Sequence, residues 1–162
     1  MLANLFLHYA FDRWFQKSYP QNSFERYADD MIVHCRTQRE AIAIEHAIAN
    51  RLKQCGLEIH PEKTQIAFCK NSNLQGKYKK QSFEFLDYCF RPRLTKSNAG
   101  NVFVGFTPAI SPTSAKAIRQ KIRQWRLGHQ TQLTLEEIAQ KINPSLRGWI
   151  NYFGAFNQSK LR

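Results

Sequence analysis

The chain has 162 residues, 43% of them hydrophobic and including 12 Phe, 6 Tyr and 3 Trp, enough for a packed core and too many for a disordered chain. Its 24 Lys and Arg against 12 Asp and Glu give a net charge of +12, which points to a polyanionic partner, nucleic acid before membrane. No apolar run approaches the ~20 residues of a membrane-spanning helix, and no signal-peptide pattern opens the chain.

Residues 3–17 place Leu7, Ala10, Phe11 and Trp14 at helical spacing and predict an amphipathic helix, broken by Pro20-Gln21-Asn22-Ser23. Residues 24–28 and 31–35 are rich in aromatic and β-branched side chains. They read as two short strands joined by Asp29-Asp30 as a two-residue hairpin connection. Thr37 stands three residues ahead of Glu40, a capping box that starts a second helix. Ala41, Ile44, Ile48, Leu52 and Cys55 line one face of that helix, and Gly56 caps its end. Residues 57–60 and 64–69 read as short strands around a Pro61 turn. Residues 71–81, with Lys77, Lys79 and Lys80, read as a solvated loop. Residues 83–86 and 88–90 read as strands, followed by Arg91-Pro92-Arg93.

From Ser111 the pattern turns wholly helical. Ser111-Pro112 supplies an N-cap and first-turn proline, Thr134 with Glu137 a further capping box, and Asn143-Pro144 a second cap-plus-proline start. In the last helix Leu146, Trp149, Phe153 and Phe156 form an apolar stripe. The expected fold is α+β: an antiparallel sheet with helices on one face over residues 1–93, a linker over 94–110, and an all-helical segment over 111–162. Residues 95–101 read as a turn within that linker. Cys35, Cys55, Cys69 and Cys89 form no C-x-x-C pair, and His46 and His60 complete no zinc spacing. They read as small buried hydrophobes in a reducing compartment, which places the chain in the cytoplasm.

Two features carry chemistry. Asp29 and Asp30 concentrate negative charge at a tight turn, where carboxylates repel unless a cation neutralises them. Mg²⁺ takes one or two carboxylates plus substrate phosphates, so the pair suits metal-assisted displacement at phosphorus. The second feature is residues 115–126. Ala115, Ile118, Ile122 and Trp125 form one helical stripe, and Lys116, Arg119, Arg123 and Arg126 repeat it shifted by one residue, ~100° round the helix. No acid lies between Asp87 and Glu136, so no i,i+4 pairing explains the four cations, and phosphate binding accounts for them better than solvation alone. Arg91 and Arg93, two apart on a strand, point to the same side, where they could reach a nucleic-acid phosphate.

Tyr27-Ala28-Asp29-Asp30 resembles the catalytic hairpin of reverse transcriptases. Leu2-Ala3-Asn4-Leu5-Phe6-Leu7, Gly56-Leu57-Glu58 with Pro61-Glu62-Lys63-Thr64, and Phe83-Glu84-Phe85-Leu86 with Phe90-Arg91-Pro92-Arg93 are similar to the palm of group II intron reverse transcriptase–maturases. The run from Asn143 to Gly154, with Leu146-Arg147-Gly148-Trp149, resembles their maturase-specific region. The resemblance implies an RNA-directed DNA polymerase and splicing maturase acting through a two-metal Mg²⁺ site. Asp29 and Asp30 are then metal ligands, Lys63 lies near the triphosphate, and Tyr27 contacts nucleic acid. The basic helix belongs to a thumb gripping RNA. Its partners would be group II intron RNA, an RNA template–DNA primer duplex and a deoxynucleoside triphosphate.

The resemblance further implies that the third aspartate, the fingers and a glycine-containing loop precede Met1, so that the chain alone is an incomplete, inactive palm piece with part of a thumb. A non-catalytic RNA-binding maturase remnant and a piece of a broken reading frame stay open as alternatives. Asp87 departs from the family, which ordinarily has glycine there. Glycine permits close backbone approach near the primer end, so primer positioning is in doubt.

Overall fold

The computed structural model describes residues 2–70, 78–97 and 99–157; most of the loop expected over 71–81, Lys77 included, lies outside them. The chain divides into two compact units, Met1–Ile66 and Ala67–Arg162. The fold is α+β, with every strand pairing antiparallel.

In the first unit, helix α1 (Leu2–Leu7), a π-helical turn (His8–Asp12) and helix α2 (Arg13–Ser18) follow one another directly. Hairpin β1 (Phe24–Tyr27) and β2 (Asp30–Val33) comes next, then α3 (Gln38–Gln54). Phe11 and Phe15 are fully buried and pack with Ile44, Ile48 and Leu52 of α3. Phe24 meets both rings edge-on at 5.2 and 5.4 Å, so the hairpin is held on the helices by aromatic contact as well as by burial. Met31 and Val33 join from β2. The Thr37–Glu40 capping box forms as expected. Helix α3 ends as its sequence predicts: Gly56 takes a φ of +74°, Leu57 N–H reaches Leu52 O and Gly56 N–H reaches Lys53 O, the two bonds of a Schellman motif.

In the second unit, β3 (Phe83–Phe85), β4 (Tyr88–Lys96) and β5 (Val102–Ile110) form a meander, followed by α4 (Pro112–Gln124), a 3₁₀ turn (Leu127–His129) and α5 (Leu135–Phe153). Phe83 stacks on Phe90 at 4.9 Å and leans on Phe106. At the other end of the strands, Tyr88 is buried against Tyr152, Phe153 and Phe156.

Four expectations change. Residues 57–60 and 64–69 are not strands: the Lys63 and Thr64 N–H groups turn back to His60 O, which closes a turn around Pro61 instead of extending a ladder. Residues 94–96 and 102–110, read as linker, are strand, because the pairing Leu94↔Val104 through Lys96↔Val102 continues the sheet. The turn signal there marks a hairpin tip, with Gly100 at φ +85°. Asn143-Pro144 starts no new helix. Proline inside a helix forgoes one hydrogen bond and crowds the preceding turn, at a cost of about 3 kcal/mol. Yet Ile138, Ile142, Leu146, Trp149 and Phe153 keep one stripe facing inward across it, and α5 stays continuous. The cysteines are all free thiols, but none is fully buried and Cys69 is exposed.

Candidate active-site turn and nucleic-acid face

The aspartate hairpin forms, with its turn one residue earlier than expected. Tyr27 pairs with Asp30, so Ala28 and Asp29 are the central residues and Asp30 is the first residue of β2. Ala28 takes the positive φ (54°) that the first position of such a turn demands. Asp29 therefore sits at the tip. Asp30 shares a face with Tyr27, opposite the core-facing Arg26 and Met31. All three of Tyr27, Asp29 and Asp30 are exposed, with Tyr27 at 65%.

What holds this turn was not read from the sequence. Arg26 lies beneath it and makes a bidentate ion pair with Asp12, Nε to Oδ1 and Nη2 to Oδ2, both 2.7 Å. Its Nη1 donates to the Ala28 carbonyl at 2.7 Å, inside the turn itself. Asp12 reaches it from the π-helical turn, where Arg13 N–H bonds to His8 O five residues back. His8 Nδ1 lies 3.3 Å from the same carboxylate. The side chains of Arg26 and Asp12 are only 11% and 15% exposed, and the guanidinium holds the Asp12 carboxyl below its ordinary range. The available signal was the single arginine on the core-facing side of β1, a charge that needs a buried partner.

Asp29 and Asp30 offer hard carboxylate oxygens in the open, the donor type that Mg²⁺ prefers while it keeps several waters. They fit as two ligands of such an ion. Among the described residues no group of three or more His, Cys, Asp or Glu gathers around one point, so a complete ligand set is not assembled by them. Lys63 is exposed on the turn after Pro61.

In the second unit, α4 presents the basic face. Ala115 and Ile118 are half-buried, Ile122 is 40% exposed, and Trp125 stacks on Trp149 of α5 at 5.6 Å and 19°. Lys116, Arg119 and Arg123 are exposed, and none makes an ion pair or side-chain hydrogen bond among the described residues. The helix ends at Gln124. Arg126 therefore lies past it, in a left-handed conformation (φ 44°) leading into the 3₁₀ turn, and does not continue the helical row.

Arg91 and Arg93 differ in their surroundings. Arg91 is exposed on β4. The guanidinium of Arg93 folds over the sheet and donates to Cys89 O at 3.1 Å and to Thr107 O. Burial, and then repulsion from Arg91, hold its pKa below the usual guanidinium value. These carbonyls hold the Arg93 guanidinium down on the sheet, and of the two arginines Arg91 is the one exposed at the surface.

Leu86 and Asp87, between β3 and β4, both take left-handed backbone angles (φ 49° and 63°), the conformation that favours glycine. The Asp87 carbonyl accepts from Ser111 N–H at 2.9 Å, and its carboxylate from Ser114 Oγ at 2.7 Å.

A family model for reverse transcriptase (RNA-dependent DNA polymerase) matches residues 1–90, more than half of the chain, and one for the group II intron maturase-specific domain matches residues 115–162. No curated protein matches the chain. The second compact unit crosses the boundary between these matches, since residues 67–90 fold with the maturase-matched helices.

Proposed function

The chain belongs to the reverse transcriptase family and carries a group II intron maturase-specific segment, and from that premise we propose that it works on group II intron RNA and on an RNA template–DNA primer duplex. The basic face of α4 grips the phosphate backbone. The observation that carries this reading is the asymmetry of α4: its apolar side is partly covered, with Trp125 on Trp149, while Lys116, Arg119 and Arg123 stand exposed with no acid to pair them among the described residues. Like charges at helical spacing destabilise a helix in isolation, and neutralising phosphates relieves them. Arg91 extends the contact on β4. Arg93 fixes the sheet beneath it, and Arg126 adds charge from the turn that follows α4.

Enzymes of this family generally use Mg²⁺. We assign Asp29 and Asp30 as ligands to such an ion, held forward by the Arg26 clamp, with Tyr27 beside Asp30 as a contact to nucleic acid. The ion, when bound, supplies charge neutralisation at the reacting phosphate of a deoxynucleoside triphosphate. The protein's part is position: Ala28 sets the turn, and Arg26 fixes its carbonyl. The exposed ammonium of Lys63 suits the triphosphate. No helix among the described residues is long and apolar enough to cross a membrane, and the free thiols suit a cytoplasmic setting.

A mobility-shift titration of the full chain with folded group II intron RNA tests the reading. Binding should be tight at low salt, weaken in Arg119→Gln/Arg123→Gln, and persist in Asp29→Asn/Asp30→Asn, which removes metal ligands and not phosphate contacts. Equal binding by the wild type and the arginine variant would refute it.

A further inference from the structure

The Leu86-Asp87 turn is the place where the strand hairpin of the reverse transcriptase match meets the helices of the maturase match, and we propose that Asp87 is a positioning residue that sets the basic helix α4 for RNA through Ser111 and Ser114. Asp is one of the few residues besides glycine that adopt the left-handed backbone readily, and at this turn its side chain makes contacts that glycine cannot. The hydrogen bonds show what. Ser111 Oγ–H donates to Ser114 Oγ at 3.0 Å, and Ser114 Oγ–H donates to Asp87 Oδ1 at 2.7 Å. Ser114 N–H donates back to Ser111 Oγ at 3.1 Å, the N-cap bond of α4, and Ser111 N–H donates to the Asp87 carbonyl. Both serines are buried, at 1% and 9% exposure, while Asp87 itself is exposed, so the network is sheltered from water on the serine side.

The same turn is tied to α5. Tyr152 Oη–H donates to Leu86 O at 2.9 Å, and Tyr88 Oη–H donates to the Tyr152 carbonyl. The turn therefore holds the start of α4 and the end of α5 together. Lys116 follows Ser114 by two residues, and Arg119 and Arg123 follow on the next two turns, so the tether fixes the end from which the whole cationic row is aimed. A carboxylate at that end also complements the helix dipole. The Asp87 carboxylate is thus a latch, and a glycine would keep the turn while losing it.

The inference rests on the proposed phosphate-binding role of α4, and the sign of one effect tests it. If Asp87 were only an acid near RNA, removing its charge would strengthen binding. As a latch, its loss weakens binding. In filter binding of the full chain to a labelled RNA hairpin, Asp87→Gly should bind about three- to tenfold more weakly than wild type. Asp87→Asn, which keeps an acceptor and tolerates the left-handed backbone, should stay within about twofold. Ser114→Ala, which leaves the turn untouched and carries the test if Asp87→Gly does not fold, should reproduce the loss, and the double variant should bind no worse than either single one. The effect of Asp87→Gly should shrink in the Arg119→Gln/Arg123→Gln background. Stronger binding by Asp87→Gly and Asp87→Asn alike, or full affinity in Ser114→Ala, would overturn the latch. Full affinity and salt dependence in Arg119→Gln/Arg123→Gln would instead overturn the role of α4 itself.

Discussion

Arg26 does two jobs with one guanidinium: it neutralises Asp12 and it fixes the Ala28 carbonyl beneath the aspartate turn. Removing it in Arg26→Ala strands a mostly buried carboxylate, which should cost about 2–3 kcal/mol in a urea titration followed by circular dichroism. The pair also sets a pH signature. Arg26 hydrogen bonding lowers the Asp12 pKa in the folded state, with His8 helping and burial opposing. A group lowered in this way stabilises the fold fully above its unfolded pKa of about 3.9, and the contribution is lost as pH falls through the lower folded value. Glu40, lowered by its bonds to Asn22, Arg36 N–H and Thr37 N–H, has the same sign. Wild-type stability should therefore fall as pH drops below about 4, and the fall should be shallower in Arg26→Ala, where Asp12 loses the main partner that lowers its pKa while burial still raises it. An identical acid limb in both proteins would show that the pair does not form in solution.

At the scale of elements, α5 carries a proline that its packing overrides. Pro144→Ala should restore the missing hydrogen bond to Gln140 O and stabilise the chain by up to about 3 kcal/mol in thermal or chemical unfolding, with no loss of helix content. Trp125→Ala should cost about 1–3 kcal/mol, below the range for a fully buried tryptophan, because the ring is only half-buried in its stack on Trp149. Elements governed by local chemistry were legible from the sequence: both capping boxes, the Gly56 cap, the Ser111-Pro112 start and the apolar face of α3. Those decided by distant pairing were not. The strands at 94–96 and 102–110 depend on a register between residues up to 22 apart, and the continuity of α5 depends on a stripe that extends beyond the proline. The same division applies to the site. Adjacent aspartates announce themselves, whereas the Asp12–Arg26 pair spans 14 residues and the Asp87–Ser114 bond spans 27, and no short motif contains either.

For the whole molecule, the net charge of +12 is concentrated where it can be used: residues 109–162 hold 9 Lys and Arg against 2 Asp and Glu. Nonspecific attraction from such a charge would persist when two cations are removed anywhere, whereas a phosphate-gripping face loses specific counterion release. The decisive measurement is a filter-binding salt titration of structured RNA with the full chain and with Arg119→Gln/Arg123→Gln. Each neutralised phosphate contributes ~0.9 to the slope of log affinity against log salt on a duplex and ~0.7 on a single strand. The account predicts that the double variant lowers the slope by roughly 1.4 to 1.8 while helix content stays unchanged; an unchanged slope would contradict it and return the face of α4 to solvated charge.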